Sequence, residues 1–244
     1  MEKPILQVAE GEADKDVGLV ERTIRDVRDL IRNNKLRVGD PLPSESALAA
    51  QLGVSRTVAR EAMRALAAMR VLEVGNGRRA RVAAANAEAL SILLDHTIYT
   101  GQLSFQQVLD VRRTLEMRTA SLAALRRSDA EAREMLDVVD QMFAALDNDH
   151  SAIMELDIKL HALIARATGN ALYAILLDSY GVITRQTWDI GWRSRGSYEN
   201  RLENIRCHER LATAIMMQDS QRAENAMSEH FDSAVAVLLR AGIT

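Results

Sequence analysis

The sequence predicts a mainly α-helical protein in two parts, a winged helix-turn-helix over residues 1–83 and an all-helical bundle over residues 84–244. Three observations predict it. Apolar residues recur at helical spacing through almost the whole chain, no proline follows Pro43, and only a short stretch after Val71 has strand character. Aromatic residues make up only 4% while Ala, Leu, Met and Arg abound, which also favours helix over sheet. With 244 residues the chain can form one large or two modest domains.

Residues 1–16 are polar and without a period, so a frayed arm is expected there. Leu19, Val20, Ile24, Val27, Leu30 and Ile31 then share one helical face that ends near Asn33 and Asn34. Pro43 and Ser44 start a second helix, with Ser44 as N-cap and Ala47, Leu48 and Leu52 as its apolar face; Gly53 breaks it. Ser55 caps a third helix, in which Val58, Ala62, Ala65, Leu66 and Met69 lie on one side and Arg56, Thr57, Arg60 and Arg64 on the other. Two short helices around a glycine turn, the second basic at its start, form a helix-turn-helix pattern. Val71, Leu72 and Val74, then Gly75-Asn76-Gly77, then Arg78, Arg79, Arg81 and Val82 predict a hairpin wing with a basic tip.

Beyond an Ala-rich connector at 83–86, helix follows helix. Leu90, Leu93, Leu94 and Ile98 form the first stripe, ended by Gly101; Ser104 caps the next, and Ser128 with Glu131 makes a capping box for the third. Asp149 to Ala167 is the fourth, with His150 placed in the preceding loop, and Asn170 starts a fifth that runs toward Tyr180. Trp188 to Gly196 reads as irregular because of its glycines, and residues 198–218 and 219–240 make the last two helices. Such a bundle can enclose an interior ligand cavity.

Charge is distributed unevenly. Between Gly53 and Val82 seven arginines face two acids, a local net of +5 in a chain whose overall charge is −3. Guanidinium groups reach phosphates and base edges, and short polar residues suit the places where a backbone comes close, so Ser55, Arg56, Thr57 and Arg60 fit a helix entering the major groove. The alternative, a solvated helical hairpin, explains neither the wing nor its basic tip. The single cysteine, Cys207, fits a reducing cytoplasm, and no apolar run approaches a membrane span.

LPSESALAAQLGVSRTVAREAMRAL followed by VLEVGNGRRARV resembles the winged helix-turn-helix of the GntR family of bacterial transcription regulators. The resemblance implies that Arg56 and Arg60 reach DNA, that Ser55 and Thr57 bond phosphates, and that Asn76, Gly77 and Arg78 place the wing tip in the minor groove. At Ser46 the chain departs from the family, whose members often carry Arg there.

In the bundle, polar residues interrupt apolar stripes. Asp157 and His161 fall one turn apart beside Ile153, Leu156, Leu160 and Ile164; His208 and His230 sit within the stripes of the last two helices. Burying these groups unpaired costs several kcal/mol, and one cation would satisfy all four, a set of one oxygen and three nitrogens suited to zinc and also to nickel, iron or manganese. Spacing alone favours three core histidines, each bonded to a backbone carbonyl. The segment from Asp110 onward, with VRRTLE, DIKLHALIARATGN and CHERLATAIMMQDSQRAENAMSEH in order, resembles the FCD effector domain of the FadR-type branch of these regulators. That resemblance implies a divalent metal on Asp157, His161, His208 and His230, and an effector site including Arg112 and Glu116, which a simple helix-face ion pair would also explain.

The expectation is therefore a cytoplasmic, homodimeric, ligand-responsive regulator, a repressor in most relatives of this type, binding a palindromic operator and releasing it under control of a small organic acid at the metal. A metal-dependent hydrolase or lyase with an appended DNA-binding domain, or a direct sensor of the metal, are the alternatives.

Overall fold

A computed structural model describes residues 13–75, 78–147 and 149–242. The chain divides into two compact units, Met1–Ala89 and Leu90–Thr244. The division falls a few residues beyond 83, because the connector leads into a helix start whose Glu88 pairs with Arg70 of the first unit.

The first unit is built on α1 (Ala13–Asn33), α2 (Glu45–Leu52) and α3 (Arg56–Ala68), followed by strands β1 (Leu72–Glu73) and β2 (Arg81–Val82). Helix α1 begins inside the stretch expected to fray; residues 1–12 lie outside the described residues. The Ser44 and Ser55 hydroxyls accept the backbone N–H of Ala47 and Val58, so each satisfies an otherwise orphaned donor at its helix start. Between α2 and α3, Gly53 adopts φ +66°, a left-handed conformation that closes α2 and turns the chain for α3. Strands β1 and β2 pair antiparallel with Leu72 opposite Val82, which makes the wing a short one. Val27, Leu48, Met63, Leu66 and Leu72 are buried together, so α1, α2, α3 and β1 share one core.

The second unit contains only helices among the described residues: α4 (Glu88–Tyr99), α5 (Phe105–Arg126), α6 (Asp129–Ala145), α7 (His150–Ala167), α8 (Ala171–Ser179), α9 (Gly181–Ser194), α10 (Tyr198–Met216) and α11 (Ser220–Arg240). Ser104 with Gln107 and Ser128 with Glu131 form reciprocal capping boxes, and Asp149, Asn170, Ser197 and Asp219 cap α7, α8, α10 and α11. Two sequence expectations are corrected. His150 is the first residue of α7 rather than a loop residue, and Trp188 to Ser194 is helical, the last turns of α9. Side-chain contacts offset the glycine there: Trp188 and Trp192, one turn apart on α9, stack with ring centroids 5.5 Å apart, and the Trp188 indole N–H donates to the His150 carbonyl of α7 at 3.2 Å.

Helix α5 packs on α7, α10 and α11, and α10 and α11 pack on each other, so their inward stripes meet. Met135, Met142, Ile153, Leu160, Ile164, Ile205 and Ile215 make this core. Each such side chain contributes about 1.5–3 kcal/mol on burial, and together they fix the helix axes that hold the polar residues described next.

Candidate functional site

On α7, Asp157 and His161 stand one turn apart and face inward; α10 contributes His208 and α11 contributes His230. All four are buried, and each offers one ligand atom such that these atoms lie within 4.8 Å of one another. His208 and His230 are ring neighbours at 4.5 Å between centroids, and His161 and His230 at 5.1 Å. The three stripes thus bring their polar interruptions to one place.

Their hydrogen bonding is incomplete in a specific way. His161 Nδ1 is engaged by Glu116 Oε2, leaving Nε2 without a partner; neither ring nitrogen of His208 has one, nor does Nδ1 of His230. His208 Nε2 lies 2.9 Å from Asp157 Oδ1 but out of line for a hydrogen bond. Two polar atoms this close without a proton aimed between them is the spacing expected of neighbouring ligands on one ion, whose bonds to nitrogen and oxygen are about 2.0–2.2 Å. Core histidines bonded to carbonyls would show paired nitrogens, and these do not. The donor set therefore fits a divalent metal. Burial opposes ionisation of Asp157, but His208, His161 and His230 together hold its carboxyl well below the usual range; burial, reinforced by His208 and His161, pushes His230 well below that of a free imidazole.

Glu116 and Arg112 stand behind His161 on α5. Burial works against the Glu116 charge, yet Arg112 and His161 keep its pKa low, while the same carboxylate raises that of His161 against burial. Arg112 Nε donates to Glu116 Oε1 at 2.5 Å, and its other arm donates to Thr184 Oγ1 at 2.7 Å. Both Glu116 oxygens are thus engaged, one by Arg112 and one by His161, and Glu116 is not among the residues lining the adjoining cavity; a carboxylate on the second ring nitrogen is the partner that orients a ligating histidine. Glu116→Gln is expected to weaken metal binding by about 10–100-fold without unfolding the bundle, measured by competition with a metallochromic chelator.

The cavity next to this cluster has a volume of about 90 Å³, well above the roughly 10–15 Å³ one water requires. Asp157, His230, Arg112, Thr184, Trp192, Arg195 and Asn204 are among the residues that line it. Sequence reading reaches Asp157, His230 and Arg112; the rest carry no motif, since they lie on α9 and α10 among ordinary helix-face residues.

In the first unit, Arg56, Arg60 and Arg64 of α3 and Arg78 and Arg79 of the wing line one groove together with Ser44 and Ser46. None of these five guanidinium groups has an ion-pair or hydrogen-bond partner among the described residues, although ion pairs are frequent elsewhere in the chain. Unpaired, exposed arginines on one helix and its wing are the arrangement that phosphate and base-edge contacts use. Thr57 is exposed on the same helix start, whereas the Ser55 hydroxyl is already occupied in capping. Asn76 and Gly77 lie outside the described residues.

Comparison with known proteins resolves what kind of chain carries these two sites. Residues 19–82 match the bacterial regulatory proteins of the gntR family, and residues 107–233 match the FCD domain. LutR of Bacillus subtilis strain 168, an HTH-type transcriptional regulator, is 30% identical over 213 residues, which is 86% of this chain and 96% of LutR. The chain belongs to the GntR family of transcription regulators, in the branch with an FCD domain. The Glc operon transcriptional activator of Escherichia coli K12 is 28% identical to this GntR regulator over 87% of the chain and 85% of its own length. The galactonate operon transcriptional repressor of the same strain is 28% identical over 80% of the chain and 86% of its own length. Among solved structures, a Streptococcus agalactiae GntR protein superposes with a TM-score of 0.61 at 25% identity, covering 88% of the GntR regulator described here and 97% of the other chain. These relatives are regulators by name, so the DNA-reading unit belongs to transcription control rather than to an enzyme. No helix among the described residues is long and apolar enough to cross a membrane.

Proposed function

We propose that this GntR regulator is a homodimeric repressor that reads a palindromic operator and releases it when a small organic acid binds at a divalent metal held by Asp157, His161, His208 and His230. Zinc is the first choice for that one-oxygen, three-nitrogen set, with nickel, iron or manganese as alternatives. The observation that carries the reading is the cluster of buried, unpartnered imidazole nitrogens next to a cavity that Asp157, His230 and Arg112 help to line. A divalent ion held there in five- or six-coordinate geometry would have positions beyond the four protein ligands for carboxylate oxygens. Arg112, anchored by Glu116 and Thr184, presents a fixed guanidinium to the same anion, while Phe231, 5.5 Å from that guanidinium and also in the wall, keeps water away.

The sugar acid in the name of the galactonate operon repressor supports an organic acid as the signal. Exposed apolar side chains on α4 and α8, Ile92, Leu93 and Leu172 among them, support a second copy packing on the helical unit. Two α3 helices then present their arginines to two half-sites, and dimer geometry sets the spacing between them. For the acid to alter operator affinity it must bind one arrangement of the paired reading heads more tightly than the other. Fluorescence anisotropy with a labelled operator selected from random duplexes tests this. Metal-loaded protein is expected to lose affinity at least about fivefold on adding the effective acid, and chelator-stripped protein to show no response to it. Release by metal alone would make the chain a direct metal sensor, and turnover of the acid would make it an enzyme; either overturns the reading.

A further inference from the structure

The cavity has further polar lining that the metal cluster does not use. Arg195, the residue closing α9, lines both this cavity and a neighbouring surface pocket, as does Asn204 of α10. The guanidinium of Arg195 has one hydrogen-bond partner among the described residues, the Ser233 hydroxyl at 3.2 Å, and no carboxylate within ion-pair distance. Burial pushes its pKa below the ordinary arginine value. Asn204 is 5% exposed, and its side-chain amide has no partner among the described residues. Trp192, also 5% exposed and also in the cavity wall, has an indole N–H without an acceptor. A buried donor such as the Trp192 indole N–H is normally satisfied, and with the carboxylate-free Arg195 guanidinium and the unpartnered Asn204 amide lining the same cavity it calls for an acceptor from outside the chain.

Charge defines what that acceptor is. Arg112 is offset by Glu116, with which it pairs, and the Asp157 charge offsets that of Arg195, both residues lining the cavity. A divalent ion on the four ligands then leaves two unmatched positive charges in a largely apolar enclosure. A monoanion cancels one of them; a dianion cancels both. We propose that Arg195, with Asn204 and Trp192, binds a second carboxylate, so that the effector is a small dicarboxylate spanning the cavity from the metal cluster to α9. This deepens the organic-acid reading above and rests on it. Arg195 is thereby the residue that sets specificity between dicarboxylic and monocarboxylic acids.

Succinate and butyrate share a four-carbon chain and differ by one carboxylate, so calorimetric titration of the full-length, metal-loaded protein with each tests the assignment. Wild type is expected to bind succinate about tenfold or more tighter than butyrate, the range a charged hydrogen-bonding partner supplies. Arg195→Met is expected to bring succinate down to the affinity of butyrate, with butyrate binding, metal content and melting temperature unchanged. Arg195→Lys retains the charge and is expected to keep most of the preference; Asn204→Ala narrows it severalfold and carries the test if Arg195→Met does not fold. Equal affinities in wild type, no measurable succinate binding, or loss of both acids alike in Arg195→Met overturns the proposal. Stripping the metal separates the two readings. If succinate is still preferred by the stripped protein, the role of Arg195 stands and the metal-dependent site fails; if butyrate needs the metal but succinate gains nothing over it, the site stands and the role of Arg195 fails.

Discussion

His208→Ala is expected to remove the metal and with it the ligand response of the whole protein. His208 is fully buried, with its Nε2 2.9 Å from Asp157 Oδ1 and neither ring nitrogen in a well-aligned hydrogen bond, the arrangement expected of a metal ligand. Deleting a direct ligand should cost more than the roughly 10–100-fold that loss of an outer partner costs, and elemental analysis of the purified variant should find substoichiometric metal. Thermal unfolding supplies an independent reading. A ligand present at a thousand times its dissociation constant stabilises the folded state by about 4 kcal/mol, so wild type should melt several degrees higher with metal than with chelator. The variant should melt at one temperature in both. In chelator the difference between the two proteins should shrink, because the substitution then removes a buried, unsatisfied imidazole as well as some packing. Full retention of metal by His208→Ala would show that the ligand set is wrong.

The second large effect is expected at the other end of the chain. Arg56→Ala and Arg60→Ala should each weaken operator binding by about 1–3 kcal/mol, or roughly 5- to 150-fold, and the pair together by more. Both side chains are exposed and unpaired, so the melting temperature and the oligomeric state should not move. Salt titration distinguishes their roles: a residue on phosphate lowers the slope of log affinity against log salt by about one per contact, whereas a residue on a base edge chiefly relaxes the sequence preference. Unaltered affinity in both variants would reject α3 as the recognition helix.

Much of this architecture is legible in the chain because it is local. Ser44, Ser55, Ser104 and Ser128 each cap a helix through a backbone N–H three residues ahead, and Gly53 takes the left-handed turn that α2 and α3 require. Such features need no knowledge of distant residues. Asp157 and His161 are similarly readable as one face of α7, since four residues make about one helical turn. The meeting of that face with His208 and His230 is another matter. It depends on how α7, α10 and α11 pack, which spacing within each helix does not specify. Glu116 shows the same limit: its pairing with Arg112 is an i, i+4 feature, but its hold on His161, 45 residues away, is tertiary. The turns of α9 beyond Trp188 read as irregular because Gly191 lowers helix propensity, while the stacking of Trp188 on Trp192 that outweighs it is a contact between side chains on successive turns plus a bond to α7. Arg195 and Asn204 carry no motif at all. Only the cavity they line gives them a role.

The account depends on one ion held between α7, α10 and α11, and a crystal of the full-length protein grown without chelator tests it by anomalous scattering across the absorption edges of zinc, nickel, iron and manganese. A single anomalous peak is expected within about 2.0–2.3 Å of one atom from each of Asp157, His161, His208 and His230. No peak there after incubation with each metal, or a peak bound by other residues, would contradict it.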